Sequence, residues 1–417
     1  MKKHYLSALL LCFNFLLLNA QTWTQINTPT PEDIAAVSFI NENTGWIIGN
    51  NSVYKTTDGG TTWTPQVLPP TPQYMSRSYN SINFIDENTG IIGCTNFITD
   101  YPNHDPSQIS VIIWTNDGGT TWEYKNVGNN NSYNSDALLV TPQIAYTIGQ
   151  YGQSYKTTDG GASWIECTFS SFGYSGKRLF AVNENAVYFA GLQNLSLIGS
   201  YGKMSNGNWT VAQISNNTSM NCLYYFDADS GIIGGNDGEI LVTLNGGNNW
   251  STAVTPVTSS IRGISFKNML EGWACTSDGK ILKSIDGGLN WSIEYDGTVF
   301  LRNIVIKNLN GYGYAVGNDG TLLKYNSNLS TEKFEKDTLY LYPNPANQSV
   351  NIKFNEMTTD NAQITVTNSL GQVVQKSTIG SQTLHTLDTS GFSNGIYFIN
   401  LTQNGRQFVG KKLIISH

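Results

Sequence analysis

The residues able to do chemistry are sparse in this sequence, and the most regular of them is an aspartate. It recurs in one phrase, Thr57-Asp58-Gly59-Gly60-Thr61-Thr62-Trp63, with further copies holding Asp117 and Trp122, Asp159 and Trp164, and Asp286 and Trp291. Asn245 takes the place of the acid in the copy that ends at Trp250. A carboxylate repeated in this way could ligate calcium or act as a general acid. One isolated carboxylate per unit is not a cation cage, however, and an amide serves equally well at Asn245. The chemistry is therefore local: the acid accepts backbone N–H groups across a turn, the paired glycines permit positive φ, and the tryptophan packs between neighbouring units. These aspartates, Asn245 and the five tryptophans are read as scaffold.

Arginine supplies the second candidate. Arg178, Arg262 and Arg302 each stand at the entrance of an apolar alternation, where a guanidinium could bind a carboxylate or sulfate bidentately. The same residues could instead cap carbonyls or pair with Asp136. A third group is Asp100, Tyr101, His104 and Asp105, inside a stretch from Thr95 to Ser110 that the other repeats lack. Such an insertion in a regular repeat is a natural binding loop, or a tolerated one. Of the 4 histidines only His104 falls among the repeats, so a histidine metal site or a Ser-His-Asp triad would rest on it alone. No metal and no cofactor are expected. Gly235 to Gly238 and Gly317 to Gly320 both read Gly-Asn-Asp-Gly and are hairpin turns, since no helix follows to hold a phosphate.

The elements that must position these side chains follow from the spacing. With a degraded copy at Trp209 included, successive tryptophans lie 59, 42, 45, 41 and 41 residues apart, a period that means a propeller or a solenoid. Each phrase is preceded by an apolar alternation such as Val37-Ser38-Phe39, a glycine-led strand such as Gly45 to Gly49, and a third strand such as Val53-Tyr54-Lys55. Four strands per unit make a propeller blade. First strands starting near Ala36, Ser81, Ala137, Arg178, Cys222, Arg262 and Arg302 count seven blades. The seventh lacks its closing tryptophan, and Thr22-Trp23-Thr24-Gln25-Ile26 supplies the missing strand, which ties the ends together and hides two sheet edges. Aligned by their entrances, the first strands place Ala35, Asn80, Asp136, Arg178, Cys222, Arg262 and Arg302 in one ring at the channel mouth. The aspartate turns lie on the opposite face.

The phrase resembles the Asp-box, or BNR repeat, and the run of seven units looks most like the photosystem II assembly-factor family. That resemblance implies a non-enzymatic binding propeller with an arginine-rich patch. A sialidase would bring a six-bladed scaffold and an Arg-Ile-Pro motif near the N-terminus, which is absent. Xyloglucanase-type enzymes use a cleft between two propellers, and one is present here.

Both ends read as addresses. Lys2 and Lys3, the mostly apolar run Leu6 to Leu18, and Asn19-Ala20 match a secretory signal, too short to span a bilayer. From Leu339 the chain becomes a strand-rich module with Leu341-Tyr342-Pro343-Asn344-Pro345, Leu370-Gly371-Gln372, Gly395-Ile396-Tyr397 and a terminal Lys411-Lys412-Leu413-Ile414-Ile415. It resembles the type A C-terminal sorting domain of cargo exported by the type IX secretion system of Bacteroidetes. That resemblance implies handling by the type IX machinery and release or tethering at the cell surface. The organisation expected is a signal peptide at 1–20, a propeller at 21–328, a linker at 329–338 and a β-sandwich sorting domain at 339–417.

Composition agrees with an all-β chain: 417 residues, 41 glycines, 12% aromatic and only 13% charged. A net charge of −7 offers no basic field for nucleic acid. Export permits disulfides among Cys94, Cys167, Cys222 and Cys275, with Cys222 and Cys275 the most plausible pair, but buried free thiols are the expected state. The function expected is an exported, non-enzymatic propeller that binds a protein or glycan at the bacterial surface or outside the cell. The competing readings are a secreted glycan-active hydrolase of sialidase-like or xyloglucanase-like type, and a structural or cell-surface component whose propeller is mainly a spacer.

Overall fold

The computed structural model describes residues 23–325 and 339–417, apart from short segments at 51, 74, 99–107, 128–132, 170–172, 206, 216–218, 308–311, 355–361, 369–371, 381 and 404–405. Seven four-stranded antiparallel sheets follow one another along the first part. Their first strands are Ile34–Phe39, Met75–Phe84, Asn134–Leu139, Tyr174–Asn183, Met220–Tyr225, Ile261–Phe266 and Leu301–Lys307. Each first strand packs on the next, and the seventh packs on the first, so the ring closes around a channel. The expected all-β, seven-bladed propeller is the fold observed.

Closure is made by the N-terminal strand. Trp23–Gln25 pairs antiparallel with Leu322–Tyr325 and completes blade seven. Trp23 is fully buried, and its indole N–H donates to Glu294 Oε2 at 2.9 Å. Trp273 donates to the same oxygen at 2.6 Å, and Lys283 lies 3.4 Å from the other. One carboxylate thus fastens the N-terminal strand to blade six.

Between blades the core is built from stacked rings. Phe39 of blade one lies on Tyr314 of blade seven at 3.8 Å, Phe84 on Trp46 at 3.5 Å, and Tyr225 on Tyr188 at 3.8 Å. A Cβ on Gly45, which opens the second strand of blade one, would fall 2.4 Å from the Phe39 ring, so this position needs glycine for close approach rather than for its φ.

The second part is a small sandwich. A three-stranded sheet with Leu339–Tyr342 at one edge faces a four-stranded sheet ending in Arg406–Ile415. Val350, Ile352, Ile364, Val366, Ile399 and Leu413 fill the space between them.

Candidate functional site

Every first strand carries a β-bulge near its entrance, and these seven sit at the same height; blade four has a second irregularity between Ala181 and Asn183. The ladder skips Ala35, Asn80, Ser135, Lys177, Asn221, Arg262 and Arg302 in turn. A bulge inserts one unpaired residue and re-aims its side chain. The ring at the channel mouth is therefore made of these seven residues. Asp136, Arg178 and Cys222, placed there by aligning strand entrances, each lie one residue further on, because the extra residue breaks the two-residue alternation. Lys177, which sequence reasoning passed over, stands in register with Arg262 and Arg302. Glycine makes the bulge possible in places: a Cβ on Gly191 would sit 2.0 Å from the Ser175 carbonyl oxygen.

The cations of this ring are unequally partnered. Arg302 donates from Nε to Asn318 at 2.7 Å and pairs with Asp33 at 2.8 Å. Arg178, just inside the ring, lies 3.8 Å from the Asp136 carboxylate. Asp136 is buried and also accepts the Leu179 N–H at 2.7 Å and the Ala137 N–H at 2.9 Å. Burial pushes its carboxyl up, against the pull of Arg178 and these donors. Arg262 differs from both: among the described residues its buried Nε has no hydrogen-bond partner, and no acid pairs with its guanidinium. Burial, then the repulsion of Arg178, pushes its proton affinity down. Its guanidinium and that of Arg302 lie 5.4 and 5.5 Å from the ring of Phe300. Lys177 donates to Asn221 Oδ1 at 3.2 Å, and burial followed by the Arg262 charge brings its pKa down to about 8. Two neighbouring cations at the mouth, Lys177 and Arg262, thus lack an acid among the described residues.

Asp100, Tyr101, His104 and Asp105 lie outside the described residues. The flanks of their insertion are not loop but strand. Thr95 pairs with Ser110 and Phe97 with Gln108, so the second hairpin of blade two is simply longer than the others. Among the described residues the four thiols Cys94, Cys167, Cys222 and Cys275 are free and buried, and no group of acids, histidines or cysteines is arranged to hold a metal.

On the opposite face, the aspartates of the repeated phrase are occupied within their own turns. Asp58 accepts the Thr62 N–H at 2.8 Å and the Thr62 hydroxyl at 2.6 Å, which with Thr56 hold its pKa down at about 2. Asp159 does the same with Ser163 and is also held at about 2. Asn245 repeats the backbone contact, at 2.9 Å to the Asn249 N–H, with a neutral oxygen. The turn glycine carbonyls accept from the preceding blade: Gly59 from Tyr314 and Lys324, Gly118 from Lys55, and Gly246 from Tyr201.

Fold and turns together define an Asp-box propeller joined to a strand-rich tail domain. Comparison with known proteins agrees on both parts. Residues 340–416 match the secretion system C-terminal sorting domain, and residues 17–104 match the photosynthesis system II assembly factor YCF48. The resemblances read from the repeats and from the tail are both borne out. The photosystem II assembly protein Ycf48 of Thermosynechococcus vestitus is 35% identical over 68 residues, a stretch that covers 16% of this chain and 19% of that protein. Among solved structures, YCF48 bound to D1 peptide aligns over 74% of this chain and 96% of its own at 21% identity, with a TM-score of 0.59. YCF48 from Cyanidioschyzon merolae aligns over 73% and 98% at 17% identity, TM-score 0.56. Virginiamycin B lyase from Staphylococcus aureus aligns over 72% and 98% at 12% identity, TM-score 0.57. At these identities the likeness is one of fold. The sorting domain directs the chain to the type IX secretion machinery and so to the cell surface or beyond. No helix among the described residues is long and apolar enough to cross a membrane.

Proposed function

We propose that this is an exported binding protein whose propeller captures an acidic segment of a partner protein at its channel mouth, the sorting domain serving delivery. The observation that carries the reading is Arg262. A guanidinium whose Nε is buried without a partner is costly to maintain, and a carboxylate that binds it bidentately relieves that cost. Lys177 beside it adds a second uncompensated charge, and Phe300 gives the Arg262 guanidinium an apolar floor. The YCF48 propeller bound to a D1 peptide is a precedent for peptide capture by this fold. Of the nearby acids, Asp136 is enclosed by backbone donors and Asp33 is paired with Arg302, which leaves neither as a free catalytic acid.

The test is anion dependence. Peptides ending in a free carboxylate, or carrying Asp or Glu, are compared by calorimetry with their amidated and Asn or Gln counterparts. Binding is expected for the acids, weakened by the loss of one buried charge pair in Arg262→Gln and falling steeply with salt. Equal binding of acid and amide forms, or indifference to Arg262→Gln, would sink the reading.

A further inference from the structure

Beside the cationic mouth stands an apolar shelf on the same rim. In three blades the turn joining second and third strands has one backbone shape, with a positive-φ residue at the tip: Tyr151 in blade three, Asp237 in blade five and Asp319 in blade seven. Blades five and seven place there the aspartate that tolerates this conformation. Blade three holds a tyrosine at φ 56°, 76% exposed, at a backbone cost that packing does not repay. The adjacent turn of blade four repeats the anomaly. Leu197 is also at φ 56° and 51% exposed, and Leu195 is 92% exposed.

These side chains belong to one surface. The Tyr151 N–H donates to Ser175 Oγ at 3.0 Å, and Ser175 in turn donates to Asn194 Oδ1 at 2.6 Å. Ser175 lies two residues before Lys177 on the first strand of blade four, about 7 Å along the strand. Three exposed apolar side chains, two of them held in an unfavourable backbone state, therefore adjoin the unpaired cations.

We propose that Tyr151, Leu195 and Leu197 form a docking shelf for an apolar side chain of an extended peptide whose acidic group, two to four residues away, sits at Lys177 and Arg262. The inference rests on the reading of the mouth as an acid-binding site and adds the second half of the recognition. A peptide is favoured over a glycan because two of the three shelf residues are aliphatic. Sugars stack on aromatic faces and otherwise need polar groups, whereas leucines match an aliphatic or aromatic side chain.

The experiment is a selection of short random peptides, about nine residues long, on the full chain, on Tyr151→Asp and on Arg262→Gln. Uronic and sulfated oligosaccharides are arrayed in parallel. Tyr151→Asp installs the residue that blades five and seven already carry, so folding is preserved, and its melting curve verifies this. Wild-type selections should enrich Leu, Ile, Phe or Met two to four residues from an acid. Tyr151→Asp should lose the apolar preference but keep the acid, and should bind the wild-type winners roughly tenfold more weakly, as expected for one apolar side chain left exposed. Arg262→Gln should lose the acid preference and keep the apolar one. If Tyr151→Asp selects the same apolar residues as wild type, the shelf is refuted while the acid site stands. Loss of nothing in Arg262→Gln refutes the acid site itself. No peptide enrichment on wild type, or capture of oligosaccharides instead, overturns the peptide as occupant.

Discussion

Replacing Trp23 by alanine tests whether the N-terminal strand holds the ring closed. The side chain is fully buried against Tyr325 and Trp273, and its indole N–H reaches Glu294. Truncating a buried tryptophan to alanine costs about 3–5 kcal/mol. With an unfolding entropy of about 2.1 cal/mol/K per residue over a propeller of roughly 300 residues, the midpoint should fall by about 5–8 °C. Trp23→Phe keeps most of the packing and loses chiefly one hydrogen bond to a charged group, about 1.5–3 kcal/mol, or about 2–5 °C. The assay is thermal unfolding of the full chain followed by near-ultraviolet circular dichroism, with exposed Val67→Ala as the neutral control. If Trp23→Ala melts within about 1 °C of wild type, far below the fall worked out above, the strand does not secure blade seven and the closure argument fails.

Three other outcomes follow from the same structure. Asp58 and Asp159 ionise well below an ordinary aspartate, so their contribution is complete above about pH 4 and is lost as pH falls toward about 2; in melts across this range, the gap between wild type and the Asp58→Asn, Asp159→Asn double variant should close on acidification, and a constant gap would contradict the assignment. Gly191→Ala should destabilise by about 1–3 kcal/mol and weaken peptide capture, since its Cβ would collide with the Ser175 carbonyl beside the Lys177 bulge; a stable variant with intact capture would show that the bulge does not need glycine. Because burial and Arg262 bring Lys177 down to about 8, its charge is present below that pH and lost above it, so capture of acidic peptides should weaken between about pH 7 and 9. Lys177→Arg should flatten that profile, and an unchanged profile would exclude Lys177 as its source.

Much of the fold was legible in the sequence because blade spacing is written in large, rare residues. Trp63, Trp122, Trp164, Trp209, Trp250 and Trp291 mark the repeat, and the orphan strand at Trp23 fits the seventh unit that lacks one. The mouth was less legible. Aligning first strands by their entrances assumes an unbroken alternation, and the bulge breaks it. The other end of each strand is the safer reference, since rings such as Phe39 and Phe266 are pinned over the glycine that opens the next strand. Counting back four residues from Tyr225, pinned over Gly231, gives Asn221 rather than Cys222; blade four has Ala181 in place of the ring and Ala186 in place of the glycine, so Lys177 carried no such mark. Phe300 carried no signal, for a lone aromatic before a strand is indistinguishable from core. Tyr151 did carry one: it stands where two sister turns read Asn-Asp-Gly.

The position of Trp23 also sets an order of events. Its partner strand, Leu322–Tyr325, is the last piece of the propeller to leave the ribosome, so the earliest strand made waits longest for its neighbour. Until then blade seven is incomplete, and the nascent propeller is an open arc with an unpaired edge at each end. Completion of the ring therefore reports that every blade of the propeller has been delivered.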